Sequence, residues 1–383
     1  TATTTTLSCV SAPVTYIVTI KPKPVLTVSG NNSVCSGVTG NVNLTLTNSL
    51  GSGGATWTWN RDLLSGITPN TSSGVSSAIG ETLTNSTSSS IQVSYMATTT
   101  TAGCISSPQT FILTIKPKPN IQSASLSICS SNPIVFSPVN DADNIVPTST
   151  LYSWSVPTSS SLSGMTAGNA QSAFGQTLTN TSGSDQNITY TLTPNSAGCI
   201  GSSFAVTANI KFEPTPQISG SQSICSGEAV QLFVNGGATY AWTPNMNINA
   251  TFIENPTVSP TSTTTYSVLV TGSNGCSTSR SVAVNINTNP TITNIPSSVQ
   301  SVCSGGTYSF TPITSSGASY EWTRENNGAY SSNVTNGSSA ITNTLVNELQ
   351  GPTTVAYNFN LINTTTGCVN AQTLNVTVYP LPS

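Results

Sequence analysis

Nine cysteines recur along the chain in two alternating kinds, and this alternation limits the sequence to a tandem array of small cystine-bearing units. The first kind opens a Cys-Ser-Gly or Cys-Ser-Ser turn at Cys35, Cys129, Cys225 and Cys303. The second kind follows a glycine at Cys104, Cys199, Cys276 and Cys368. Cys9 belongs to the second kind. The run Tyr16-Ile17-Val18-Thr19-Ile20-Lys21-Pro22-Lys23-Pro24 after it matches Phe111-Ile112-Leu113-Thr114-Ile115-Lys116-Pro117-Lys118-Pro119 after Cys104.

Other landmarks keep step with the cysteines. Trp59, Trp154, Trp242 and Trp322 follow a first-kind cysteine, each with Trp57, Tyr152, Tyr240 or Tyr320 two residues earlier. Tyr95, Tyr190, Tyr266 and Tyr357 precede a second-kind cysteine. A Thr-Leu-Thr-Asn or Thr-Leu-Val-Asn run recurs at 82–85, 177–180 and 344–347. The joints carry proline: Pro24, Pro119, Pro216, Pro290 and Pro382. These marks divide the chain into the end of a repeat at 1–23, full repeats at 24–118, 119–215 and 290–383, and a shorter one at 216–289.

Within each repeat, apolar and polar residues alternate with period two, as in Ile91-Gln92-Val93-Ser94-Tyr95 and Ile188-Thr189-Tyr190-Thr191-Leu192. Such runs, rich in Val, Ile, Thr and Tyr, read as half-buried antiparallel strands. Short strands with turn signals every 8–12 residues predict an all-β chain of immunoglobulin-type β-sandwiches. The eight aromatic landmarks, Trp59, Trp154, Trp242, Trp322, Tyr95, Tyr190, Tyr266 and Tyr357, are expected in the cores. Pairing each early cysteine with the next late one predicts one disulfide per repeat: 35–104, 129–199, 225–276 and 303–368. Each would tie two turns at one pole of its sandwich. Cys9 would pair with a cysteine outside the chain. Short proline-bearing linkers favour semi-rigid spacing, so the units are expected in a linear rod more than ~100 Å long.

Composition removes most chemistry. Charged residues make up 5% of the chain, its net charge is −3 and it has no histidine. No basic surface is available for a nucleic acid or an anionic membrane. Ser–His triads and imidazole metal sites are excluded, and the cysteines lack metal-ligand spacing. No apolar run approaches the ~18 residues that span a bilayer. The eleven carboxylates form no pair that recurs between repeats. Asp141-Ala142-Asp143-Asn144 could ligate calcium through oxygen, but it occurs once and reads more simply as a turn. Asn-X-Ser/Thr sequons, among them those at Asn85, Asn187 and Asn363, follow from a chain that is about a third Ser and Thr. No catalytic residue, cofactor or metal is expected. The cystine pattern points to an oxidising, extracellular setting.

Tyr240-Ala-Trp242-Thr-Pro, Asn255-Pro-Thr-Val-Ser-Pro-Thr261, Thr263-Thr-Thr-Tyr266 and Asn274-Gly-Cys276 resemble the PKD-like and Ig-like repeats of giant secreted surface proteins of Bacteroidota. Glu81-Thr-Leu-Thr-Asn85 and Gln176-Thr-Leu-Thr-Asn180, with a late Ala-Gly-Cys, resemble a related PKD-like subtype. The resemblance covers essentially the whole chain. It implies a non-catalytic stalk of a cell-surface adhesin exported by type IX secretion, with gliding-motility adhesins of the SprB type as the specific case. Its implied partners are adjacent repeats, the secretion and motility machinery, and an external surface or polysaccharide bound elsewhere in such proteins. A static surface fibre, or a spacer with carbohydrate-binding modules, stands as the alternative.

Overall fold

The computed structural model describes residues 1–70, 73–324 and 335–382, and every regular element among them is a β-strand. The chain forms two compact units, Thr1–Phe212 and Glu213–Ser383.

In the first unit, residues from 26 onward build a two-layer sandwich. One sheet has the order Ser33–Cys35, Gln109–Lys116, Ile91–Thr101, Thr56–Arg61, Ser73–Gly74. The facing sheet is Leu26–Gly30, Val42–Asn48, Ala78–Glu81. The alternation decides which face is inward. Val93, Tyr95 and Ala97 of one long strand are buried, as are Leu44 and Leu46 across the core, while Gln92 and Met96, on the opposite face of that strand, are exposed. Pairing is antiparallel with one exception: Ser33–Cys35 runs parallel to Gln109–Lys116 and places Cys35 opposite Lys116.

The same order returns in the rest of that unit, as Ala124–Cys129, Phe204–Lys211, Gln186–Ser196, Leu151–Trp154, Gly168–Gln171, again with a parallel first pair. The second unit repeats the plan twice. Its shorter sheet is Gln222–Cys225, Ser277–Asn287, Thr264–Thr271, Thr239–Thr243. Its longer one is Gln300–Cys303, Val369–Tyr379, Thr353–Asn363, Ala318–Arg324, Asn336–Gly337. Each unit holds two separate hydrophobic cores. Tyr95, Tyr190, Tyr266 and Tyr357 are at most 1% exposed in these cores, and Trp154, Trp242 and Trp322 are buried with them. Trp59 is half-buried against its core and lies 6.1 Å from Tyr95, ring to ring.

The disulfides depart from the order predicted along the sequence. Cys35 bonds Cys199, not Cys104, and Cys225 bonds Cys368, not Cys276. The expected 129–199 and 303–368 pairs are therefore absent as well. Cys129 and Cys276 are also disulfide-bonded, while Cys9, Cys104 and Cys303 are free thiols. Strand direction explains the change. The last strand of the first sandwich, Gln109–Lys116, begins after the Gly103-Cys104 turn and ends opposite Cys35. Its 8 residues separate the two poles by roughly 25 Å. A disulfide needs Cα atoms about 4.4–6.8 Å apart, so the two cysteines of one repeat cannot meet.

Candidate functional site: the cystine joints

The late cysteine sits in a tight hairpin. Ala102 and Gly103 both have positive φ, 50° and 84°, and Ala197 and Gly198 repeat this at 49° and 85°. Two successive left-handed residues match the type I′ turn, whose twist fits the flanking strands. The hairpin closes Thr101 on Cys104 and Ser196 on Cys199. Leu7 and Ser8 form the same turn ahead of Cys9, with Thr6 opposite Cys9.

The early cysteine is held by the motif that recurs in the longer repeats. The serine after it shares its hydroxyl with the backbone of the asparagine that ends the Thr-Leu-Thr-Asn or Thr-Leu-Val-Asn run: Asn85 N donates to Ser36 Oγ at 2.8 Å, Asn180 N to Ser130 Oγ at 2.9 Å and Asn347 N to Ser304 Oγ at 2.9 Å. The asparagine amide then reaches the last strand. Asn85 Nδ2 donates to Ile115 O at 3.0 Å, Asn180 Nδ2 to Ile210 O at 2.8 Å and Asn347 Nδ2 to Val378 O at 2.8 Å. This clamp presents the cysteine beside the end of its own sandwich, where the chain leaves for the next one. The Asn85 sequon is consequently a structural element: its amide nitrogen is buried and doubly bonded, to Ser89 O and Ile115 O.

At the joint inside the first unit, Lys116 Nζ donates to Ala197 O at 3.3 Å, and two residues on Cys199 bonds Cys35 with a Cα separation of 5.5 Å. Cys199 is 1% exposed. At the joint inside the second unit, Asn370 Nδ2 donates to Pro290 O at 2.9 Å, Asn289 Nδ2 donates to Ser226 O at 3.1 Å, and Cys225 bonds Cys368 with a Cα separation of 5.6 Å. The two bonds close loops of 164 and 143 residues, each enclosing a joint. In the chain-entropy account each contributes roughly 5 kcal/mol by constraining the unfolded chain. Disulfides persist in oxidising surroundings, the setting of a secreted or cell-surface protein.

The polar groups inside the sandwiches serve the core. Tyr95 Oη donates to Glu81 Oε2 at 2.6 Å, and the buried Arg61 guanidinium pairs with the same carboxylate at 3.2 Å. Gln176 Oε1 and Asn343 Oδ1 accept from Tyr190 and Tyr357 at the equivalent places, at 3.4 and 2.9 Å. Burial pushes the phenols of Tyr190 and Tyr357 up to about 12. Asp141 Oδ1 accepts from Asp143 N, Asn144 N and Asn144 Nδ2, which holds its carboxyl below the usual range and ties it into its own turn. No group of three metal-ligating side chains occurs among the described residues. A surface concavity of about 570 Å³ at Leu361, Ile362 and Val369 contains one aromatic ring, Tyr320, packed edge-on against Phe359.

The family model for the PKD-like domain matches residues 32–119, 126–214 and 300–382. The comparison with curated proteins gives no match. Among solved structures, the I67–I69 fragment of titin aligns over 69% of this chain and 97% of its own at 12% identity and a TM-score of 0.32. The insect immune protein hemolin aligns over 94% and 100% at 13% identity and 0.26, and the eight N-terminal Ig domains of Down syndrome cell adhesion molecule over 94% and 55% at 11% and 0.30. Scores this low carry no weight for function. The three matched spans each take in a Cys-Ser turn, the asparagine that clamps it and the Gly-Cys hairpin, and they cover more than half of the sequence, so the chain belongs to the PKD-like domain family.

Proposed function

We propose that this chain is a load-bearing stalk segment of a large secreted cell-surface adhesin, with the repeats at 24–118, 119–215, 216–289 and 290–383 acting in series. The observation that supports it most is the position of the disulfides. The Cys35–Cys199 and Cys225–Cys368 bonds each enclose a joint between sandwiches, the place where a string of domains is otherwise held by a single backbone strand. A stapled joint transmits force through two covalent paths. Such reinforcement has no use in a catalytic site and suits a spacer that keeps an adhesive surface away from the cell. The recurrent carboxylates, histidines or metal ligands that an enzyme needs are missing from the sequence.

The specific setting we favour is a gliding-motility filament exported by type IX secretion, because the repeats resemble those of such adhesins along essentially the whole chain. Its partners there are the neighbouring repeats, the secretion and motility machinery, and an external surface or polysaccharide. Labelling this region on living cells tests the reading. Labels that travel along the cell body and stop when the proton gradient is collapsed support it. Labels that stay fixed transfer the stalk to a static surface fibre, and an absence of label from intact cells overturns the surface assignment.

A further inference from the structure

Cys104 lies in a joint that is complete except for one strand. Lys21 Nζ donates to Ala102 O at 2.8 Å, as Lys116 Nζ does to Ala197 O, and both bonds span 81 residues of sequence. Lys23 Nζ adds a bond to Ser107 Oγ at 3.1 Å. Cys104 follows Ala102 in the same I′ hairpin in which Cys199 follows Ala197. Cys199 is bonded and 1% exposed, whereas Cys104 is free and half-buried.

A second, independent observation concerns residues 16–21. Tyr16, Ile17, Val18 and Ile20 are 73–90% exposed and belong to no strand. Their counterparts in the matching run, from Phe111 to Lys116, form a strand between two neighbours, with Leu113 and Ile115 buried. One of those neighbours is the parallel strand Ser33–Cys35. An apolar strand-former left open at this place, beside a free thiol, calls for that same neighbour.

We propose that Cys104 is half of an inter-repeat disulfide site, and that its partner is a strand ending in a Cys-Ser turn which adds in parallel along residues 16–21. The cysteine of that strand would stand opposite Lys21, as Cys35 stands opposite Lys116. Closure is thiol–disulfide exchange with a low-molecular-weight disulfide such as oxidised glutathione. One cysteine first forms a mixed disulfide and releases a glutathione thiol. The thiolate of the other attacks the protein-side sulfur, the Cys–Cys bond forms, and a second glutathione thiol leaves. Two thiols are oxidised and one glutathione disulfide is reduced to two thiols. This assignment does not depend on the stalk reading, because it concerns bonding only.

The test uses the full chain with a second copy of residues 24–95 placed ahead of Thr1. That addition supplies one new early cysteine, a copy of Cys35, with the strands that present it. After refolding with reduced and oxidised glutathione, non-reducing peptide mapping should link the added cysteine to Cys104, with free thiols falling to two, Cys9 and Cys303. Retention of the Cys35–Cys199 link in the same map reports that the chain has folded. With Cys104→Ser in the extended chain, the free thiols should number three. A link from the added cysteine to Cys9, or a free added cysteine in a chain that retains the Cys35–Cys199 link, overturns the proposal.

Discussion

Asn85, Asn180 and Asn347 show how one side chain can organise a whole turn. Each donates from its side-chain amide to the last strand and from its backbone nitrogen to the hydroxyl of the serine that follows the early cysteine. The Thr-Leu-Thr-Asn run is visible in the sequence as a repeat, but its role requires knowing which strand passes nearby. The buried charge in the first sandwich leads to a measurable contrast. Glu81→Ala strips the buried Arg61 of its carboxylate partner and should cost about 3–5 kcal/mol in denaturant unfolding. Gln176→Ala, which removes only neutral hydrogen bonds, should cost about 1–3 kcal/mol. Equal losses at the two positions would contradict the ion-pair account. Trp154 lies against Gly168, where an added Cβ would come closer than 3.0 Å to the indole. Gly168→Ala should therefore destabilise the second sandwich by about 1–3 kcal/mol through overpacking, read as a lower melting temperature. The raised phenols of Tyr190 and Tyr357 set the alkaline behaviour. A phenol held neutral in the fold stabilises it fully below the ordinary value near 10, and that stability is lost as pH rises from about 10 through 12. Near-ultraviolet circular dichroism should stay constant to about pH 10 and be lost above it. Loss of that signal well below pH 10, or its persistence well above 12, would overturn this.

At the scale of strands and turns, one parallel pair decides the cystine pattern. Had Ser33–Cys35 run antiparallel to Gln109–Lys116, Cys35 would lie near the Gly-Cys hairpin of its own sandwich, and the predicted 35–104 bond would be short. The parallel register instead carries the cysteine to the exit end. A nick inside the enclosed loop therefore leaves the molecule whole. A protease site inserted at the exposed turn Gly51-Ser52-Gly53-Gly54 lies between Cys35 and Cys199. Cleavage there should leave a single band on a non-reducing gel and two bands after reduction. Separation without reductant would show that the Cys35–Cys199 bond is absent.

For the whole molecule, the staples limit extension. With Cys35–Cys199 intact, 164 residues of the first unit cannot be drawn out under load, a hidden length of roughly 550 Å. Single-molecule stretching of the oxidised chain should fall short of the reduced chain by at least about that amount. Equal contour lengths in the two states would contradict a force-bearing role for the cystines.

The repeat, the strand alternation, the aromatic landmarks and the two kinds of cysteine are all local or compositional, and the amino-acid sequence alone determined them. Tyr95 and its counterparts announce themselves because period-two burial is written into every strand. Which cysteine meets which is another matter. Cys35 and Cys104 are neighbours in the repeat order but stand at opposite poles, while Cys199, much further along the chain, arrives within bonding distance because the next sandwich begins where the first ends. That outcome depends on strand direction and on how two domains abut, and neither leaves a periodic mark in the chain, so only the tertiary structure decided it.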